Sequence, residues 1–136
     1  MSDNRSFGTA AEVRALDFLR AKGYTLLQTN YRYRKAEVDL IVRKENLIVC
    51  VEVKARLYLY YGDPASFVSK KKIKLLALAM DFYMQQMDPE LEVRFDIISI
   101  HLKGKKWIID HLEGAFEILE GVDFINKLFR FYIFVI

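Results

Sequence analysis

Cysteine occurs once in this 136-residue chain, tryptophan once, proline twice and glycine six times. A single cysteine, Cys50, supports neither an internal disulfide nor a thiolate metal centre, which suits a reducing cytoplasm. So little proline and glycine leaves no flexible linker, and the length fits one domain with a real core. No segment reaches the ~20 consecutive apolar residues of a membrane span. The polar start, Met1-Ser2-Asp3-Asn4-Arg5, lacks the apolar stretch of a signal peptide. The expectation is a cytoplasmic protein with no membrane partner. Phosphate-loop, dinucleotide and nucleophile-elbow patterns are missing. His101 and His111 have no metal-ligand spacing and no partner for a triad.

What the chain does have is unevenly placed charge. Its net charge is only +3, but residues 29–74 hold eleven Lys or Arg against five Asp or Glu. The same stretch contains Tyr31, Tyr33, Tyr58, Tyr60 and Tyr61. Cations interleaved with aromatics suit nucleic acid, which offers phosphates and stackable bases. A solvated basic surface with tyrosines anchoring loops fits the same composition.

Hydrophobic periodicity predicts a helix over about 6–22, where Val13, Leu16 and Leu19 recur and Gly23 follows. Strands are expected over 24–34, 36–43 and 47–56, then a loop over 57–66 with a Gly-Asp-Pro break. A second helix is expected over 69–87, burying Ile73, Leu76, Ala77, Met80, Tyr83, Met84 and Met87. Strands over 91–102 and 106–110 complete the order α-β-β-β-α-β-β. That order implies an α/β fold, a mixed central sheet covered on both faces. The end of the chain, residues 128–136, is almost wholly apolar. It is expected to pack on the domain, with an oligomer contact as the other reading.

Charge enters two of these strands against the apolar grain. Glu37-Val38-Asp39 and Glu52-Val53-Lys54 flank a hairpin turn at Glu45-Asn46. Closing that turn symmetrically sets Asp39 opposite Glu52 and Glu37 opposite Lys54. Two carboxylates about 5 Å apart at an effective dielectric near 20 repel by roughly 3 kcal/mol. A divalent cation held by both reverses the sign, because hard cations prefer carboxylate oxygens. A solvated sheet face with a cross-strand salt bridge is the alternative. With a cation held at Asp39 and Glu52, Glu37 opposite Lys54 would position the lysine.

Two more places repeat the conflict. Glu12 shares its helix stripe with Ala15, Leu16 and Leu19, so it either snorkels at the edge or faces a cation. Lys70, Lys71 and Lys72 follow the candidate N-cap Ser69, where the helix end favours anions instead. A bound phosphate resolves this; surface lysines tolerated at an exposed end are the plainer account.

Taken in order, these residues resemble the YraN-like family of bacterial proteins, within the PD-(D/E)XK nuclease superfamily and related to Holliday-junction resolvases. The resemblance rests on Gly8, Glu12, Ala15, Leu19 and Gly23-Tyr24, then Asn30-Tyr31-Arg32 and Glu37-Val38-Asp39-Leu40-Ile41. It continues through Val51-Glu52-Val53-Lys54-Ala55-Arg56, Val68, Lys72, Arg94-Phe95-Asp96, Trp107-Ile108 and Ala115-Phe116. Ala11 and Ala36 stand where the family commonly has glycine. The resemblance covers about residues 6–117 and implies a restriction-endonuclease-like domain over 1–117; the apolar tail, 118–136, has no family counterpart. It implies Mg²⁺, or Mn²⁺, held by Asp39, Glu52, Glu12 and the Val53 carbonyl, with Lys54 beside the attacking water. Lys72 would contact the phosphodiester; Lys70, Lys71, Arg32 and Arg56 are the further candidate contacts to nucleic acid. The function implied is hydrolysis of DNA phosphodiesters, with branched DNA as a substrate, RNA not excluded, and a homodimer as the assembly. The alternative is a nucleic-acid-binding module of the same fold with little or no catalysis.

Overall fold

A computed structural model describes the backbone of residues 2–56, 68–120 and 131–135, and side chains within 9–55 and 68–116. Helix α1 spans Ser2–Ala21, and strands β1 (Thr25–Tyr33), β2 (Ala36–Lys44) and β3 (Leu47–Arg56) follow as a meander. Helix α2 (Lys70–Met84) precedes β4 (Glu92–Lys103) and β5 (Lys106–Glu120). The order α-β-β-β-α-β-β is the expected one. The sheet runs β1-β2-β3-β4-β5, with a further strand β6 (Phe131–Val135) added at the β5 edge. Only β3 and β4 pair in parallel, so the sheet is mixed. The expected loop over 57–66, with its three tyrosines, lies outside the described residues.

The strand pattern divides the core between two faces. Ile48, Cys50, Phe95 and Ile97 pack beneath Ile73, Leu76, Ala79 and Met80 of α2. Val49, Val51, Ile98 and Ile100 pack against Ala11, Ala15 and Leu19 of α1. Two buried faces explain why β3 and β4 read as nearly continuous apolar runs. Tight two-residue turns make the meander: Arg34 adopts φ 55 between β1 and β2, and Glu45 φ 56 between β2 and β3. The second turn sets the register Lys44↔Leu47 through Leu40↔Val51, which follows from symmetric closure about Glu45-Asn46.

Two strand details depart from the sequence pattern. Strict alternation places Val38, Leu40 and Val42 on one face. In the fold, Ala36 and Val38 join the α2-side cluster with Ile41, while Leu40 and Val42 join the α1 side. The slip falls at Asp39, and its would-be β1 neighbour, Asn30, has φ 49. Strand β5 also continues ten residues past its expected end at Asp110. Gly114 at φ 59 and a register shift between Phe95 and Ile97 carry the ladder on.

Candidate metal and nucleic-acid site

The fork where β2 and β3 part collects the charged residues. Their ladder reaches Leu40↔Val51 and goes no further. One step on, the Asp39 side chain replaces backbone pairing: its Oδ2 accepts a 2.8 Å hydrogen bond from the Val53 amide. That bond orients the Asp39 carboxylate toward β3. The ladder thus stops one step short of the expected Asp39–Glu52 pair, and Asp39 bridges to the Val53 amide next to Glu52 instead.

Glu52 is the unusual member. It is only 5% exposed, and among the described residues its Oε2 has no hydrogen-bond partner. Lys72 Nζ lies 3.5 Å from that oxygen, an ion pair by proximity but too long for a well-formed hydrogen bond. Burial, then the Asp39 charge, push Glu52 up from 4.5 to about 7, and a hydrogen bond with the Asp39 carboxyl adds to the rise. Lys72 and Lys54 oppose it. A buried, under-bonded carboxylate beside a second acid is costly as it stands.

The other expected residues are distributed around this pair. Glu12, half-buried on α1, is raised above its ordinary value by burial first, then by Asp39 and Glu37. Lys54, half-buried and two residues beyond Glu52 on the same strand face, favours the ionised carboxylate. Ser69 caps α2 by accepting a 3.1 Å bond from the Lys72 amide, which places Lys70 and Lys71 exposed in the first turn. Glu37 pairs with Arg32 at 3.0 Å, and the ladder stops short of the Glu37–Lys54 position. Arg56 ends β3, with its side chain outside the described residues. Among the described residues no group of three or more His, Cys, Asp or Glu is drawn close enough to hold a metal ion.

A second polar cluster was not foreseen. Asp96, 1% exposed, accepts two 2.8 Å bonds from Arg94, one of 3.0 Å from the Gly114 amide and one of 2.7 Å from His111 Nε2. Lys22 Nζ lies 2.9 Å from His111 Nδ1. With the ammonium donating there, the ring proton sits on Nε2 and is donated to Asp96. Burial works against ionisation of Asp96, but the bonds from His111, Arg94 and Gly114 outweigh it and hold its carboxyl below the usual range. His111 thus has a partner after all, fifteen residues away. The one local signal was Arg94-x-Asp96, two opposite charges on one strand face. The cluster lies on the α1 side, while Glu52 faces α2, and its bonds tie the β5 irregularity to β4 and Tyr24.

Comparison with known proteins finds relatives of the sequence. A profile of the family described as "Uncharacterised protein family UPF0102" matches residues 11–100. A UPF0102 protein of Flavobacterium psychrophilum is 42% identical over 116 residues, covering 85% of this chain and 98% of the relative. A second, from Flavobacterium johnsoniae, is 40% identical over 120 residues, with 85% and 98% covered. A third, from Chloroherpeton thalassium, is 38% identical over 132 residues, with 96% and 98% covered.

Proposed function

The chain belongs to the uncharacterised protein family UPF0102, and from that membership and the fork geometry we propose a metal-dependent endonuclease-like protein acting on DNA phosphodiesters, branched DNA included. UPF0102 is the YraN-like family that its ordered motifs resemble. The observation that carries the proposal is Glu52 Oε2, buried without a hydrogen-bond partner beside Asp39. A hard divalent cation is the ligand such an oxygen pair fits, and neutral packing offers no reason to keep it.

Asp39 and Glu52 would hold the cation, with Glu12 and the Val53 carbonyl as further oxygens. When bound, Mg²⁺ or Mn²⁺ supplies charge to polarise a phosphate and a water of lowered pKa. The chain's own part is orientation and charge. The Val53 amide fixes the Asp39 carboxylate by its 2.8 Å bond. Lys54 orients the attacking water or offsets charge that develops on the phosphate. Lys72, now beside Glu52, is within reach of a phosphate docked at the Ser69-capped end of α2.

A nucleic-acid-binding module with little or no turnover is the second reading. It is favoured by Lys72, which already supplies Glu52 with a counter-charge. Linear, flapped and four-way-junction DNA, each incubated with Mg²⁺ or Mn²⁺, separates the two. The endonuclease reading expects cleavage that Glu52→Gln and Lys54→Ala abolish. Junction binding without cleavage under every metal condition would sink it and leave the module.

A further inference from the structure

Cations and aromatic rings meet again on the α2 side of the sheet, away from the carboxylates. Tyr33 at the end of β1 stacks on Phe82 of α2, with ring centroids 4.5 Å apart and planes inclined by 15°. Tyr31 meets Tyr83 edge to face at 5.1 Å and ties the same strand to the same helix. The Arg34 guanidinium lies 5.3 Å from the Tyr33 ring centre. The turn that holds it there has Arg34 at φ 55, and Lys35 follows, exposed.

Packing accounts for Tyr31 and Tyr83, not for the outer stack. Phe82 remains 42% exposed, although α2 already buries Ile73, Leu76, Ala79 and Met80. Arg32 is neutralised by Glu37, whereas Arg34 and Lys35 have no carboxylate partner among the described residues. A flat, water-exposed stack with a guanidinium beside it offers a π-face and positive charge together. Unpaired nucleotides match both: the base lies on the ring and the phosphate meets the cation.

Position along the fold gives the spacing. Tyr33 pairs with Ala36, three residues before Asp39, or roughly 10 Å of strand. Phe82 follows Lys72 by ten residues, or roughly 15 Å of helix. We infer that Tyr33, Phe82 and Arg34 form a stacking platform for an unpaired base, roughly 10–15 Å from a phosphate docked at Lys72 beside Asp39 and Glu52. The spacing rests on the endonuclease reading. The platform itself does not need the metal.

Binding in EDTA of a labelled single-stranded oligonucleotide and of a blunt duplex of equal length tests it. Phe82→Leu keeps apolar contact with Tyr33 and removes the ring. It is expected to weaken single-strand binding roughly 5- to 10-fold and leave duplex binding and the Tm unchanged. Arg34→Gln should weaken both and lower the salt slope by about one. Unchanged single-strand affinity in Phe82→Leu, or equal losses on both nucleic acids, overturns the platform. A 2-aminopurine scan along a strand bound to the unsubstituted protein avoids any folding effect. Quenching at one or two adjacent positions supports stacking, and uniform fluorescence overturns it. If the platform results hold and Mg²⁺ yields no cleavage, only the hydrolytic reading fails. If DNA is cut and Phe82 is immaterial to single-strand binding, only the platform fails.

Discussion

Replacing Glu52 by glutamine should stabilise the metal-free protein at pH 8. Folding lifts Glu52 from 4.5 to about 7, chiefly by burial. A carboxyl raised in the folded state contributes fully below its unfolded pKa, and that contribution is lost as pH rises through the folded one. The window therefore runs from about pH 4.5 to about pH 7. A shift of this size costs on the order of 3 kcal/mol for the ionised form, at roughly 1.4 kcal/mol per unit. Glutamine resembles the protonated acid and avoids that cost, although it gives up the Lys72 contact. At this chain length, thermal midpoints should move by roughly 5–10 °C in the mutant's favour at pH 8, and little at pH 5. Circular dichroism melts in EDTA at pH 5, 6, 7 and 8 measure it. Saturating Mn²⁺ should reverse the order, because only the unsubstituted protein gains from the ligand. A mutant less stable than its parent at pH 8, with the pH slope unchanged, would show Glu52 to be an ordinary partner of Lys72 and refute the reasoning.

Three further outcomes follow from the same geometry. Cation binding must displace the Glu52 proton below about pH 7, so calorimetric Mn²⁺ affinity should fall about tenfold per pH unit from 7 toward 5 and vanish in Asp39→Asn. An affinity flat across that range contradicts the assignment. Asp96→Asn leaves Arg94 and His111 without their buried anion and should cost about 3–5 kcal/mol in urea unfolding, against nothing measurable if the cluster were solvated. Ser69→Ala removes the cap of α2 and should lower stability by about 1 kcal/mol in the same assay, a loss that Ser69→Asp would not show.

Much of the site was legible because it is local. Glu45-Asn46 is a two-residue turn, so the register of β2 on β3 from Lys44↔Leu47 to Leu40↔Val51 followed from counting outward, one step short of Asp39 and Glu52. Ser69 announced the start of α2 by residue type alone. What the sequence hid depended on distant partners. Period-two alternation could not reveal the slip at Asp39, which reflects the left-handed Asn30 on the next strand. The strand expected to end at Asp110 continues through Gly114, whose positive φ accompanies an amide bond to Asp96. His111 looked solitary because its partner is fifteen residues away. Phe82 was not singled out in the sequence, because the stack with Tyr33 depends on β1 packing beside α2.

The side-chain bridge at the fork also has a spectroscopic consequence. Val53 donates its amide hydrogen to Asp39 Oδ2, so its protection from exchange reports on a carboxylate instead of a strand partner. Its proton and nitrogen resonances form a built-in probe of that acid, readable without catalysis, nucleic acid or an added label. Titrating a diamagnetic cation while watching this single amide would register whatever happens at Asp39.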